Sequence, residues 1–454
     1  MTSQLPLDGL RAHRGPVIAP TDSVYDAARE SFNALVDARP EVIVRPTGAE
    51  DVRVAIDFAR RMELPVSIRG GGHSVAGHSV GDGSVMIDLR LLRDVSVDRQ
   101  RRLVRVGGGC CWNDVDARTQ LFELAMPGGT FGDTGVAGLT LNGGIGHLIG
   151  AFGLTLDNLE AAEVVAADGR VVDVTAHSEP ELFWALRGGG GNFGVVTSFT
   201  FRLHEVSVMT GGALVHRLDD ATDVLTAFRD MRDELPDSVT CISTLTGGGG
   251  RVEERPVLLT TIAGLGSPAE VARTIAPLRA RKPLLDTVSP MFYSQVQGLY
   301  GYMPFGLRNY WTGRFLTELD DDLIGFLVEH LAHGPEPGEA SVLIEPFHGA
   351  ASRVPIDDTA FAFRHARFNV SGLAHWDHPE RDSFAIEWAG LVRDRLRPVS
   401  AGSYLNYVSD TEADTAEDAY GAGVFARLQA VKTAWDPDNI FRFNHNISPQ
   451  LLSS

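Results

Sequence analysis

Clumped glycine constrains this chain more than any other feature of its sequence. Of 454 residues, 49 are glycine, against a usual share of ~7%. The excess gathers at Gly70–Gly72, Gly107–Gly109, Gly128–Gly129, Gly143–Gly144, Gly188–Gly191 and Gly247–Gly250. A residue without Cβ lets its backbone come close to another backbone or to a ligand. Five of the six clumps precede residue 200, each beside a β-rich segment. Such a half-chain is suited to gripping a large cofactor with main chain.

Charge and composition exclude several function classes. Lys+Arg 40 against Asp+Glu 59 gives a net charge of −19, which repels phosphate backbones, so nucleic acid is not an expected partner. Lysine occurs only at Lys282 and Lys432, and neither follows glycine. There is thus no G-K-[ST] phosphate loop, and a Schiff base would have to use one of these two. At 44% hydrophobic and 22% charged the composition is that of a globular protein. Neither a signal-length apolar run near the start nor a run of about eighteen apolar residues occurs. The expectation is a cytoplasmic protein, monomer or homodimer, with no membrane partner. Three cysteines cannot make a disulfide framework and match a reducing compartment. Adjacent Cys110 and Cys111, read on a strand, would point to opposite faces as buried thiols.

Hydrophobic periodicity divides the chain. Up to residue 205, short strands at 42–45, 64–68, 85–89, 103–106, 161–166, 171–174 and 195–203 mix with helices at 49–62 and 179–186. From residue 206 to 410, helices at 221–234, 268–280, 321–332 and 381–395 alternate with apolar strands such as 257–262 and 340–344. The segment 411–454 opens with a helix over 414–435 that stops at Asp436-Pro437. It is too short to be a domain and is expected to pack back on the 1–205 lobe. The fold class is α+β, with two lobes and a returning tail.

Three motif matches fail on context. Gly189-x-Gly191-x-x-Gly194 satisfies the dinucleotide fingerprint, but here a helix precedes the glycines and a strand follows, the reverse of the required order. Gly77-His78-Ser79-Val80-Gly81 matches a hydrolase elbow, yet Asp82-Gly83 and a strand follow instead of a helix. His73 and His78 lack further zinc ligands at usual spacing. Arg69-Gly70-Gly71-Gly72-His73-Ser74-Val75-Ala76-Gly77-His78 carries more. Successive glycine N–H groups after a strand can form an anion nest and hold a pyrophosphate without lysine.

Together with RGGGH at Arg69–His73, five further segments appear in order: PGGTFGDTG (Pro127–Gly135), LTLNGGIG (Leu139–Gly146), FGLTLDN (Phe152–Asn158), FWALRGGGGNFG (Phe183–Gly194) and DPDNIFRFNHNI (Asp436–Ile447). In these the chain resembles the FAD-linked oxidases of the vanillyl-alcohol-oxidase type, within them the berberine-bridge-enzyme-like branch. The resemblance implies a two-lobed FAD-binding fold whose second lobe is an antiparallel sheet covered by helices. It also implies FAD held by Arg69, Gly70, Gly71, Gly72, Ser74, Gly77 and His78, then by Gly128, Gly129, Thr130, Asp133, Thr134 and Gly135. Gly138, Leu139, Asn142, Gly143, Gly144 and Gly146, then Gly194, Val195 and Val196, and from the tail Asn444 and Asn446, complete that set. A single covalent link to His73 follows, because Phe131 stands where many relatives carry a second, cysteine link.

Other departures bear on the reaction. Phe152 replaces a tyrosine that some plant relatives use, and Ser371 falls where berberine-type enzymes carry an acid or amide. The catalytic candidates are Glu345, which ends an apolar strand and shares a face with Leu343, and Tyr407 and Tyr404 in YLNY. Tyr300, Tyr302, His348 and His375 are candidate pocket residues. Thr134 sits where the resemblance places a control on oxygen access, its β-branched side chain leaving a gap that leucine would fill. The expected activity is hydride removal from a small organic substrate such as an alcohol, amine or polyketide, with electrons passed to O2 to give H2O2. A tailoring oxygenase or dual oxidase working through a flavin–oxygen adduct, and a non-catalytic flavin-binding protein, are the alternatives.

Overall fold

Valine and isoleucine, stiff at χ1 and suited to pleated surfaces, build the first sheet. Val85–Asp88 lies parallel between Val42–Val44 and Val66–Arg69, and Val17–Ile18 closes the edge beyond Val42–Val44. Both faces of these strands are buried, so they read as unbroken apolar runs. Helix Ala49–Arg61 covers one face with Val52, Ala55, Ile56 and Ala59. Glu50 and Asp51 open it and Arg60 and Arg61 end it, each matching the helix dipole. A second, antiparallel sheet runs Val95–Asp98, Leu103–Gly107, Val195–Arg202, Leu159–Val165, Val171–Thr175.

In this computed structural model the described residues are 5–247, 255–301, 303, 305–334, 338–409 and 416–450. Among them a large sheet of nine strands begins at Val208–Arg217 and ends at Ser400–Ser403, with neighbouring strands antiparallel. Its two faces follow the period-two alternation of a strand. Val342 and Ile344 join the core under helices Ala221–Met231, Asp321–Ala332 and Asp382–Leu396. Leu343, from between them, packs on the opposite face with Ile242, Trp311 and Leu373, against Phe32 and Val75 of the first 205 residues. The site lies at that inner face. No helix among the described residues is long and apolar enough to cross a membrane.

The tail returns through helix Ala422–Trp435, which buries Leu428 and Val431 beside Leu182, Trp184 and Phe193, while Phe441 enters the core of the first sheet. Lys432, fully buried, donates to Asp436 Oδ2 (2.6 Å), Asn192 O (2.8 Å) and Phe441 O (3.0 Å). All three ammonium protons are used, and Asp436 also accepts from the backbone N–H of Ile440 and Phe441. One of the two lysines therefore knots the tail to the Gly188–Gly191 turn.

Three expectations are corrected. The helix expected over 268–280 is two, Pro268–Thr274 and Ala276–Arg279, with Pro277 in the first turn of the second, where a missing N–H costs nothing. The tail helix is interrupted at Gly421, whose φ of 77° an L-residue adopts only with strain. Cys110 and Cys111 do not lie on a strand: Cys111 is the N-cap of helix Trp112–Thr119. Burial pushes their thiols up to about 12 and about 11, so neither is a reactive thiolate. Gly248–Gly250, Tyr302 and the start of the tail helix at Asp414 lie outside the described residues.

Replacing Lys432 by methionine leaves Asp436 as a lone buried charge, a loss of about 3–5 kcal/mol. Urea unfolding is expected to show it, and Lys432→Met combined with Asp436→Asn is expected to recover part of that loss. A single variant as stable as the wild type would refute the knot.

Candidate active site

The first wall is built where strand Val66–Arg69 ends. Arg69 turns away from the cavity: its guanidinium is buried and donates to the carbonyls of Ala28 (2.8 Å), Arg29 (3.2 Å) and Glu30 (2.7 Å). It therefore anchors the chain and does not line the wall. Gly70–Gly72 then cross the Gly135 backbone so closely that a Cβ on Gly71 would sit 2.3 Å from Gly135 Cα. His73 follows, its ring stacked on Phe32 (4.5 Å, 23°) and edge-on to Phe305 (5.5 Å). Its Nε2 lies 3.4 Å from Asp133 Oδ2 and forms no hydrogen bond. Ser74 Oγ accepts from His78 N–H (3.1 Å), and the His78 ring stands edge-on to His445 (4.9 Å). Burial, with His445 nearby, pushes His78 down to about 3, so it is neutral.

Thr130, Phe131, Thr134, Gly135, Gly138, Leu139 and Asn142 form the second wall; Gly190, Gly191, Asn192, Gly194 and Val196 a third; Phe443, Asn444 and His445 of the tail a fourth. The empty volume, open mouth included, is about 1510 Å³. No Lys, Arg, Asp or Glu lies on this wall among the described residues.

These residues fit FAD. Gly138 and Gly191 present backbone with nothing within 4 Å of where a Cβ would stand. His73 Nε2, His78 Nε2 and Asn444 Oδ1 are buried polar atoms without partners. Main-chain N–H groups and neutral side chains can hold a pyrophosphate without a cation.

Several expected cofactor residues lie behind the wall. Gly77 packs on Val36, Gly128 on Trp112, Gly129 on Leu139 and Gly146 on the Gly128 carbonyl. Gly143 and Gly144 abut Tyr404 and Thr155, Val195 faces the core of the first sheet, and Asp133 stands beside His73. Asn446 is off the wall, with its Oδ1 unpartnered. Asn192, Tyr420, Phe443 and His445 line the cavity without having been expected. Asn192 was marked by the glycine clump it follows, and Phe443 and His445 stand in the DPDNIFRFNHNI segment; Tyr420 carries no local signal.

The roof brings two catalytic candidates together and separates the third. Glu345 is 1% exposed, accepts from Asn369 Nδ2 (2.7 Å), and lies 3.4 Å from the Tyr407 hydroxyl, which points at Oε1. Burial pushes its carboxyl up to about 7, while hydrogen bonds from Asn369 and Tyr407 act against that rise. Tyr407 lines the cavity and also bonds Thr130; burial, then the Glu345 charge, raise its phenol well above the ordinary value. Tyr404 is a clamp instead. Its oxygen accepts from Gly144 N–H (3.2 Å), Ile145 N–H (3.1 Å) and Asn406 Nδ2 (3.0 Å), and its ring sits among Phe315, Phe361 and Phe363. His348 is likewise committed, to Val239 O (3.0 Å), and neither it nor His375 lines the cavity. Tyr300 reaches the inner face and bonds Thr244 Oγ1 (3.0 Å). Phe131 packs on Tyr300 at 5.5 Å.

Residues 40–175 match the FAD binding domain family, and residues 403–448 match the family described as berberine and berberine like. The chain is 32% identical to (R)-6-hydroxynicotine oxidase of Paenarthrobacter nicotinovorans, over 96% of this chain and 97% of that one. It is 30% identical to an uncharacterized FAD-linked oxidoreductase of Bacillus subtilis, over 96% and 97%. Among solved structures, 6-hydroxy-D-nicotine oxidase from Arthrobacter nicotinovorans superposes with a TM-score of 0.87 at 30% identity, covering 96% of this chain and 98% of that one. A berberine-bridge-enzyme-like protein of Physcomitrella patens gives 0.89 at 23% identity, covering 98% and 99%, and shares the fold. A glycine-lined cavity between an FAD-binding lobe and an antiparallel roof, with likeness of this extent, means that the chain belongs to the berberine-bridge-enzyme-like FAD-linked oxidoreductases.

Proposed function

We propose that this FAD-dependent oxidoreductase is an oxidase that takes hydride from a small organic substrate, with one covalent attachment of the cofactor, at His73. The observation that carries the reading is the pairing of Tyr407, on the cavity wall, with the buried carboxyl of Glu345 behind it. Bound FAD would supply the hydride acceptor at N5 and the electrons that reduce O2 to H2O2. Gly70–Gly72, Gly138, Gly190–Gly191 and Asn444 would hold it, with the partnerless His73 Nε2 as the attachment atom and Asp133 positioned to orient the ring.

The chain's own task is then to move a proton. Tyr407 receives it from the substrate while passing its phenolic proton to Glu345 Oε1, so no tyrosinate accumulates in an environment that strongly disfavours one. Asn369 holds the other carboxylate oxygen, which keeps Oε1 aimed at Tyr407. Oligosaccharide and nicotine-type oxidases share this fold, and 6-hydroxynicotine oxidase, as a relative over nearly the whole chain, supports the oxidase reading.

Acid-precipitated protein is expected to keep its yellow flavin, and His73→Ala to release it under the same treatment while still binding FAD from solution. Complete release from the wild type would remove the covalent link.

Glu345 must be ionised to accept a proton, and its pKa is raised to about 7. Anaerobic flavin reduction is therefore expected to rise with pH through about 7 and level above it. Glu345→Gln is expected to lose that limb, and Tyr407→Phe to slow reduction by about 10²–10⁴. The same limb persisting in Glu345→Gln would exclude this carboxyl.

Thr134 lines the cavity next to Gly135. Thr134→Leu is expected to slow reoxidation of reduced enzyme by air-saturated buffer in stopped flow; unchanged reoxidation would show that oxygen reaches the site elsewhere.

A further inference from the structure

Arg69, the first residue of RGGGH, is spent on one short stretch of chain. Its guanidinium binds the carbonyls of Ala28, Arg29 and Glu30 and turns away from the cavity. Three residues beyond Glu30, the buried Asn33 uses its whole amide. Nδ2 donates to Val75 O (2.6 Å) and Asn309 O (2.8 Å), while Oδ1 accepts from Leu35 N–H (3.0 Å) and Asn309 N–H (2.8 Å). Val75 lies two residues after His73, and Asn309 belongs to the roof strand Arg308–Leu316. Ala34 N–H adds a bond to Leu307 O (2.9 Å). The stretch is therefore held at one end by Arg69 and at the other by Asn33. Between the two holds lies Phe32, fully buried, its ring stacked on His73 (4.5 Å, 23°) and edge-on to Trp311 (5.8 Å).

Among the described residues no hydrogen bond fixes His73 Nε2, and Asp133 Oδ2 stands 3.4 Å away without accepting one. The last side-chain torsion of a histidine has broad minima, so the plane of this ring is set by what it packs on. An imidazole nitrogen attacks through a lone pair lying in that plane, and a turned ring aims it elsewhere. From this arrangement we infer that Phe32 is a positioning residue for the attachment of FAD: clamped by Arg69 and Asn33, it holds the plane in which His73 Nε2 meets the cofactor. Attachment joins Nε2 to the 8α carbon of the flavin. One proton leaves that carbon and one leaves the imidazole, the electron pair passes into the flavin ring, and O2 takes it up to give H2O2. The inference rests on His73 being the attachment site, as proposed above. It gives a task to Arg69, Phe32 and Asn33, none of which lines the cavity.

Full-length protein from riboflavin-starved cells, mixed with FAD in air, tests it. Two quantities are read: the affinity for FAD before attachment, from quenching of flavin fluorescence, and the rate at which flavin becomes inseparable from acid-precipitated protein. Phe32→Leu removes the flat stacking partner, and Asn33→Asp keeps the side-chain shape but turns both donors into acceptors facing carbonyls. Leu327→Ala, in the core under the outer helices of the roof, is the control for lost stability alone. Both test variants are expected to attach FAD at least about tenfold more slowly than the wild type, with affinity within about threefold and the control attaching at the wild-type rate. Wild-type attachment in either test variant, equal slowing in the control, or affinity falling as far as the rate would overturn the inference. A variant that binds no FAD counts with the last of these, since its role is then in the fold. Complete release of flavin from acid-precipitated wild type would instead overturn the attachment at His73 itself, and the two failures are distinguishable because only the second is seen without any substitution.

Discussion

The close crossing of Gly71 and Gly135 is the constraint on which the cavity depends. Each glycine occupies the space a Cβ on the other would need: 2.3 Å from Gly135 Cα in one direction and 2.5 Å from Gly71 N in the other. Neither contact can be relieved by a flexible side chain, because both neighbours are backbone. The crossing brings the end of the first sheet against the Gly128–Gly135 loop, which Val136 N–H to Cys110 O (2.9 Å) secures from behind. His73 is thereby set beside Asp133, and the walls on either side of the cavity are brought into register. Alanine at either position would have to separate two segments that both line the site.

Neutral walls and buried charges are kept apart. Ion pairs near the site stand behind the lining: Lys432 with Asp436 holds the tail to Asn192, and Arg364 with Asp157 (2.7 Å) holds the roof loop to the FGLTLDN turn. Both pairs are buried and further hydrogen-bonded, the Arg364 terminal nitrogens to Ala351 O and Thr359 Oγ1, which helps to offset the desolvation of a buried pair. The described cavity wall carries no Lys or Arg, which would leave an anion to backbone donors, and these cost no side-chain entropy to order. This suits a large cofactor whose own charge is confined to one part of its length.

On the roof, burial is what would suit Glu345 to the proton transfer proposed for it. An exposed carboxyl with an ordinary pKa would be ionised at neutral pH and a weak base; desolvation raises this one to about 7, where it can take up and lose a proton. The same burial makes a free tyrosinate at Tyr407 costly, so in the proposed reaction the two groups would act as a pair. Their sequence separation of 62 residues is bridged because the strand Ser400–Ser403 adds to the sheet edge and the chain then turns under the roof.

Much was legible in the chain itself. Glycine clumps, the order of the six motifs and the absence of phosphate-loop lysines follow from local chemistry: a missing Cβ or a missing ammonium means the same thing in any fold. Glu345 could be placed on the inner face because strand alternation has a fixed period of two. What tertiary structure decided is which polar atoms remain free. Arg69, Tyr404 and Tyr407 all stand in motifs, yet Arg69 is consumed by three carbonyls and Tyr404 by two backbone N–H groups and an amide. Only Tyr407 faces the cavity from that set. Nothing local distinguishes these outcomes, since a hydrogen-bonding group is committed or free according to partners that arrive from elsewhere in the chain. Sequence by itself determined where main chain had to come close and where charge was lacking; packing of distant segments determined which of the remaining groups could do chemistry.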